Sequence, residues 1–129
     1  MQEVIDKFQR KIGVEFDNLS ILELALTHSS YANENNLNEY NERLEFLGDS
    51  VLQLCITEYL YERCRDNDEG DLTRKRATIV CESSLYKVGV QWELGKFIKL
   101  SKGESQSGGN TRVSTIADTV EAVIAAVYL

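Results

Sequence analysis

Apolar residues recur every three to four positions along much of the chain, which is the spacing of helices that bury one face. In the stretch 3–12 this pattern ends at Gly13, which predicts a first helix over those residues. The sequence Ser-Ile-Leu-Glu at 20–23 has the form of a capping box and predicts a second helix running to about His28. Residues 32–41 are rich in Asn and Glu and poor in apolar side chains, so they are predicted to form a loop.

The rest of the chain follows the same helical pattern with two interruptions. The predicted segments are a long helix over 41–64, a charged turn over 65–71, a helix over 74–89, an irregular stretch rich in Gly and Ser over 92–112, and a last helix from Ser114 to Leu129. Thr73 is suited to cap the helix that follows the charged turn.

Composition strengthens the helical interpretation. The 129 residues include no proline, although an average usage of about 5% would give roughly six. Proline-free sequence favours uninterrupted helices over a turn-rich sandwich or barrel. With 43% apolar and 27% charged residues, a chain of this length is expected to form one ordered domain. The predicted fold class is all-α.

Cysteine usage and hydropathy indicate where the protein resides. Cys55, Cys64 and Cys81 are odd in number and lack the spacing of a disulfide framework or a zinc site, which fits a reducing compartment. The charged N-terminus has no apolar centre of a signal peptide, and no apolar run is long enough to span a membrane. We therefore expect a cytoplasmic protein that does not associate with membranes.

The formal net charge is −7. Taken alone, this value argues against a nucleic-acid partner, because attraction to phosphates normally comes from excess Lys and Arg.

The predicted long helix places three acids on one face. At about 100° per residue, Glu42, Glu45 and Asp49 project within an arc of about 60°. The predicted core stripe on the opposite face consists of Leu44, Leu47, Val51, Leu54 and Cys55. Because Phe46, Leu52 and Ile56 flank the acids, the helix is apolar nearly all round. We therefore expect a central helix whose acids are partly buried.

A second pair of acids stands out in the apolar last helix. Asp118 and Glu121 share a face there, next to the small residues Ala122 and Ala125, which would allow another helix to approach closely. An unpaired buried carboxylate is costly, so a cation is needed. Carboxylate oxygens without His or Cys select Mg²⁺ or Mn²⁺ over zinc or copper.

Helix capping offers a simpler explanation for some of these acids. Thr115 and Asp118 also fit a capping box, and acids such as Glu42 and Glu45 are favoured in a first helical turn by the helix dipole. Capping does not explain Asp49 or Glu121, which are predicted to lie deeper in their helices.

Five stretches match one known family in order along the chain. They are ALTHSSYANE at 25–34, NERLEFLGDSVL at 41–52, EGDLTRKR at 69–76, KGESQSGGNTR at 102–112 and IADTVEAVIAAVYL at 116–129. Together they resemble the endonuclease domain of the ribonuclease III family, and the second stretch resembles its most specific signature. The family's members are all-α homodimers that hydrolyse double-stranded RNA with Mg²⁺. The products carry 5′-phosphate and 3′-hydroxyl ends with a short 3′ overhang.

The resemblance assigns roles to particular residues. It implies that Glu45, Asp49, Asp118 and Glu121 hold Mg²⁺, for which Mn²⁺ can substitute, and that loss of charge at Asp49 or Glu121 most reduces turnover. It places Glu42, Arg43 and Arg112 on the substrate side or at the dimer interface. On this interpretation, acids of the metal site account for most of the net negative charge.

The resemblance also carries expectations about the whole protein. Residues 1–129 would be a catalytic domain truncated at its C-terminal end and without the separate double-stranded-RNA-binding domain of the common bacterial form. The activity would serve rRNA and mRNA processing without a small-molecule cofactor.

Two other functions remain open. The first is a catalytically silent RNA-binding or dimerisation module of the same fold. The presence of acids at positions 45, 49, 118 and 121 argues against it. The second is a carboxylate-bridged redox protein, which is disfavoured because the Glu-x-x-His pairs of such helical bundles are absent. His28, the single histidine, is expected to be structural.

Overall fold

A computed structural model describes residues 2–129, and within this range the chain forms eight α-helices and no β-strand. The helices are α1 (Gln2–Ile12), α2 (Leu19–Ala25), α3 (Ser29–Glu34), α4 (Glu42–Arg63), α5 (Glu69–Val80), α6 (Glu82–Gln91), α7 (Lys102–Gln106) and α8 (Val113–Tyr128). Short 3₁₀ turns occupy Leu94–Lys96 and Gly109–Thr111. The all-α prediction is therefore confirmed. Met1, the first residue of the predicted domain, lies outside the described residues.

Helix α8 lies at the centre of the fold. It packs against α4, α6 and α2, and most of its side chains are buried. The first helix closes one end of this core with Ile5 and Phe8, and the Phe8 ring lies 5.0 Å from the ring of Phe97. A helix that is packed on several sides is expected to carry apolar residues on nearly every face, and α8 does so.

The long helix α4 matches its predicted bounds, but the expectation that it is central is wrong. Its buried residues are Leu44, Gly48 and Leu60, whereas Leu54 and Cys55 of the predicted core stripe are exposed. The helix packs mainly against α8 and α5, and Phe46, Leu54 and Tyr61 on another face are largely exposed.

Two predicted helix starts are wrong because another residue provides the cap. Asn18, rather than Ser20, caps α2, and its side chain accepts a hydrogen bond from the Ser20 N–H. Asp68, rather than Thr73, caps α5 by accepting from the Asp71 N–H. Both acceptors are Asn or Asp side chains, which satisfy free N–H groups as well as Ser or Thr does.

The predicted helix over 74–89 is two helices. Cys81 has extended backbone angles, which end α5 and begin α6. Short helices also enter both stretches predicted to be irregular: α3 extends into the 32–41 loop region, and α7 lies within 92–112. His28 caps α3 through Nδ1, which accepts from the Ser30 N–H, so a structural role fits its position.

Within the described range, none of the helices combines the length and the apolar character needed to cross a membrane.

Candidate metal centre

The centre is built where α4 crosses α8. Gly48 is buried at the crossing, and a Cβ atom at this position would overlap the backbone carbonyl of Glu121. Ala122 and Ala125 of α8 are fully buried, as their small size predicted. Because the two backbones touch at Gly48, carboxylates one turn along either helix come close together.

Three of the predicted ligands converge. Glu45 of α4 and Asp118 and Glu121 of α8 each offer a carboxylate oxygen, and these three oxygens lie within 4.8 Å of one another. They line an open pocket of about 460 Å³, which we call the acid pocket. Its lining residues are Glu42, Glu45, Phe46, Asp49, Asp118 and Glu121.

Burial and mutual repulsion make these carboxyls hard to ionise. Burial, followed by the charges of Asp118 and Glu42, raises the pKa of Glu45 to about 7. Burial, followed by hydrogen bonding to Asp49 and the charges of its neighbours, raises the pKa of Glu121 to about 8. The pKa of Asp118 is also raised, first by burial and then by the charge of Glu82 at the start of α6. In the metal-free chain, burial and neighbouring carboxylates therefore outweigh the one opposing charge, that of His28 on Asp118.

No ion pair compensates for these acids within residues 2–129. The ion pairs there join Lys11 and Lys96 to Glu93, Arg74 to Asp71, and Arg112 to Glu104. The acid pocket therefore needs an external cation when its carboxyls are ionised. Its donor set contains only carboxylate oxygens, which suits a hard divalent ion such as Mg²⁺ or Mn²⁺.

Helix capping does not account for Asp118. The helix begins at Val113 and its N-cap position is Arg112, so Asp118 is the sixth helical residue, beyond the first turn. Thr115 is buried inside the helix. Glu42 and Glu45 do lie in the first turn of α4, so the dipole favours them in addition to any role in the acid pocket.

The other predicted site residues lie around the three converging oxygens. Asp49 and Glu42 are exposed and line the acid pocket, but neither belongs to the converging set of three. Arg43 is exposed outside the pocket lining. The Arg112 guanidinium donates a hydrogen bond to the Glu104 carboxylate, so in the protein without RNA it is paired with a residue of its own chain.

Sequence reasoning missed Gly48, Glu82 and Glu104. The signal for Gly48 was available, since a glycine inside a helical pattern often marks close backbone approach. Glu104 lies in the matched stretch 102–112, but the resemblance gave it no role, and Glu82 carried no signal because only the packing of α6 brings it towards α8.

A family model described as ribonuclease-III-like matches residues 18–129. The chain belongs to the ribonuclease-III-like family. This ribonuclease-III-like chain is 57% identical to Ribonuclease 3 of Clostridium acetobutylicum across 99% of its own length and 56% of that protein. It is 59% identical to Ribonuclease 3 of Clostridium tetani, covering 94% of its own length and 52% of that protein. The chain thus spans about half the length of the curated relatives it matches.

Solved structures agree with the family. The ribonuclease-III-like chain superimposes on a nuclease domain of ribonuclease III from Campylobacter jejuni with a TM-score of 0.90 and 40% identity, covering 96% of this chain and 84% of that one. That structure is described as showing flexibility in a region involved in dimer formation. A second structure of the same nuclease domain gives a TM-score of 0.88 and 39% identity, covering 95% of this chain and 81% of that one.

Proposed function

We propose that the chain is the catalytic domain, residues 1–129, of a Mg²⁺-dependent endoribonuclease that hydrolyses double-stranded RNA. The observation that carries the proposal is the convergence of Glu45, Asp118 and Glu121 in a pocket without a compensating cation. Membership of the ribonuclease-III-like family supports the choice of RNA as substrate. An rRNA or mRNA processing role in the cytoplasm agrees with these inferences.

Each carboxylate of the acid pocket has a role in the proposal. Glu45, Asp118 and Glu121 would hold the ion, and Asp49 would complete its surroundings from the exposed side. When bound, Mg²⁺ would polarise a phosphoryl oxygen and lower the pKa of a bound water, which phosphodiester hydrolysis requires. Glu121 lies beside Asp49, and its raised pKa in the metal-free chain means that it would give up a proton as it takes the ion. The expected products have 5′-phosphate and 3′-hydroxyl ends.

We further propose that the domain acts as a homodimer. Phe46, Leu54 and Tyr61 of α4 are 80%, 68% and 73% exposed and project within an arc of about 80°. Large apolar side chains grouped on one face are typical of a protein interface. This apolar face borders the acid pocket, since Phe46 lines both. A two-fold axis there would bring two acid pockets to opposite strands of one duplex.

The decisive experiment compares the chain with its Glu121→Gln variant on a long RNA duplex, with and without Mg²⁺. We expect cleavage only by the parent chain and only with the metal. The variant should retain RNA binding while its turnover falls below detection, because an uncharged amide is a poorer metal ligand. Glu3→Gln, which removes a charge from an exposed position of α1, is the matched control and should cleave normally.

Three results would contradict the proposal. They are cleavage that continues in excess chelator, turnover of Glu121→Gln that is unchanged at saturating Mg²⁺, and duplex binding by the parent chain with no cleavage. The last result would favour the catalytically silent module.

A further inference from the structure

Helix α7 links two parts of the fold that are distant in sequence. At its start, the Lys102 N–H donates to the Glu34 carboxylate (3.0 Å) and the Ser101 N–H donates to Ser30 Oγ (3.0 Å), which ties α7 to α3. Ser101 Oγ then accepts from the Glu104 N–H (3.1 Å) and caps the helix. The backbone that carries Glu104 is therefore held from the α3 side.

The other end of this link is the start of α8. The guanidinium of Arg112 donates through Nη1 to Glu104 Oε1. Arg112 is the N-cap residue of α8, and its carbonyl accepts the first helical hydrogen bond from the Ile116 N–H (3.0 Å). The ion pair thus joins α7 to the first turn of the helix that carries Asp118 and Glu121.

The turn between these helices is shaped around the Glu104 side chain. Gly109 is buried, and a Cβ there would lie 2.7 Å from Glu104 Cγ, 2.9 Å from its backbone oxygen and 3.0 Å from its Oε1. Any larger residue at 109 would force Glu104 or the turn to shift, so glycine lets the carboxylate lie over this turn and reach Arg112. A surface ion pair formed by chance would not need such a fitted partner.

We propose that Glu104 and Arg112 are positioning residues that fix the start of α8 and thereby hold Asp118 and Glu121 at the correct distance from Glu45. This inference rests on the proposed function. It assigns a role in that function to two residues that lie outside the acid pocket. The physical reason is that metal and phosphoryl chemistry tolerates displacements of only a fraction of an ångström in its ligands. On this view Arg112 serves Glu104 and does not serve as a contact for RNA.

The test is a double-mutant cycle on the whole chain with Glu104→Ala, Arg112→Ala and the double variant. For each protein, kcat and KM on duplex RNA are measured, and Mn²⁺ affinity is measured without RNA. We expect each of the three variants to lose about tenfold in kcat and about tenfold in Mn²⁺ affinity, with KM unchanged. The double variant should lose no more than either single variant, because both substitutions break the same contact. Asp17→Ala, an exposed acid between α1 and α2, is the matched control and should behave like the parent.

Two further variants test the geometry without changing the net charge. Gly109→Ala should displace the Glu104 carboxylate and reproduce the losses of Glu104→Ala. Arg112→Lys should recover part of the Mn²⁺ affinity lost in Arg112→Ala, because it restores a cation beside Glu104. Circular dichroism of each variant checks that the helices are retained.

The proposal would be overturned by additive losses in the cycle, or by a raised KM in Arg112→Ala that Glu104→Ala does not share, since that pattern indicates an RNA contact. Unchanged Mn²⁺ affinity in the three variants would overturn it as well. If the parent chain binds Mn²⁺ but does not cleave RNA, the proposed function fails while the metal measurements still decide the positioning role.

Discussion

At the scale of single residues, the acid pocket stores unfavourable free energy in the metal-free protein. Glu45 and Glu121 ionise only with difficulty because they are half-buried and face other carboxylates. The same residue types at an exposed position would ionise near pH 4.5 without cost. The sequence predicted these acids and their partial burial, but the raised pKa values follow from contacts between α4 and α8.

Replacing Glu121 by glutamine should stabilise the metal-free protein at high pH. Because the pKa of Glu121 is about 8 in the folded chain and near its ordinary 4.5 in the unfolded chain, the folded state binds more protons between these values. Stability therefore falls as pH rises from about 4.5 to about 8, and the variant lacks this loss. We expect its Tm to exceed that of the parent by a few degrees at pH 8.5 in chelator and to match it near pH 4. A variant that is less stable at pH 8.5 would contradict this.

Metal binding should release protons from the same carboxyls. Glu45 and Glu121 must be ionised to bind an ion, and their pKa values of about 7 and 8 leave both largely protonated at pH 6. We expect Mn²⁺ affinity to rise about tenfold or more from pH 6 to pH 8. Calorimetry in two buffers of different ionisation enthalpy should detect the released protons. An affinity that is independent of pH would show that other groups hold the ion.

At the scale of elements, the crossing of α4 and α8 is the feature that makes the site. The long helix and the last helix were both predicted from apolar spacing, with bounds close to those observed. Their closest contact depends on Gly48, which periodicity alone did not single out. The starts of α2 and α5 were mispredicted because several capping residues stood near each start and only the folded backbone selects one.

Enlarging Gly48 should separate the two helices. In Gly48→Ala the added methyl would overlap the carbonyl of Glu121, so we expect a loss of about 2 to 3 kcal/mol in the free energy of unfolding. Mn²⁺ affinity should also fall, because Glu45 moves away from Asp118 and Glu121. Denaturant unfolding and metal titration would measure the two effects.

Gly103→Ala is the matched control for this experiment. A Cβ at this exposed glycine of α7 meets no atom of another element within 4 Å, so stability should not fall and metal affinity should be unchanged. Equal effects of the two substitutions would contradict the role of the crossing.

At the scale of the whole molecule, the apolar face of α4 should control assembly. Leu54→Glu places a charge in the middle of this face, beside Phe46 and Tyr61. We expect the parent chain to sediment at twice its mass of 14.6 kDa and the variant to sediment as a monomer. The variant should also lose most of its paired cleavage of the duplex.

The comparison for assembly is Val4→Glu, which adds the same charge to a partly exposed apolar position of α1 and should leave the dimer intact. A parent chain that remains monomeric at concentrations where it cleaves both strands would contradict the dimer.

The sequence by itself determined the helical class, the long helix, the last helix and which acids share one face of each of these two helices. These properties are local, because spacing along one helix decides which residues share a face. Only the tertiary structure decided that α8 rather than α4 is central, that Asp49 lies beside the converging oxygens of Glu45, Asp118 and Glu121, and that Glu104 pairs with Arg112. Those outcomes depend on how helices distant in sequence pack, which requires the backbone approach at Gly48 and the turn at Gly109 to be known in three dimensions.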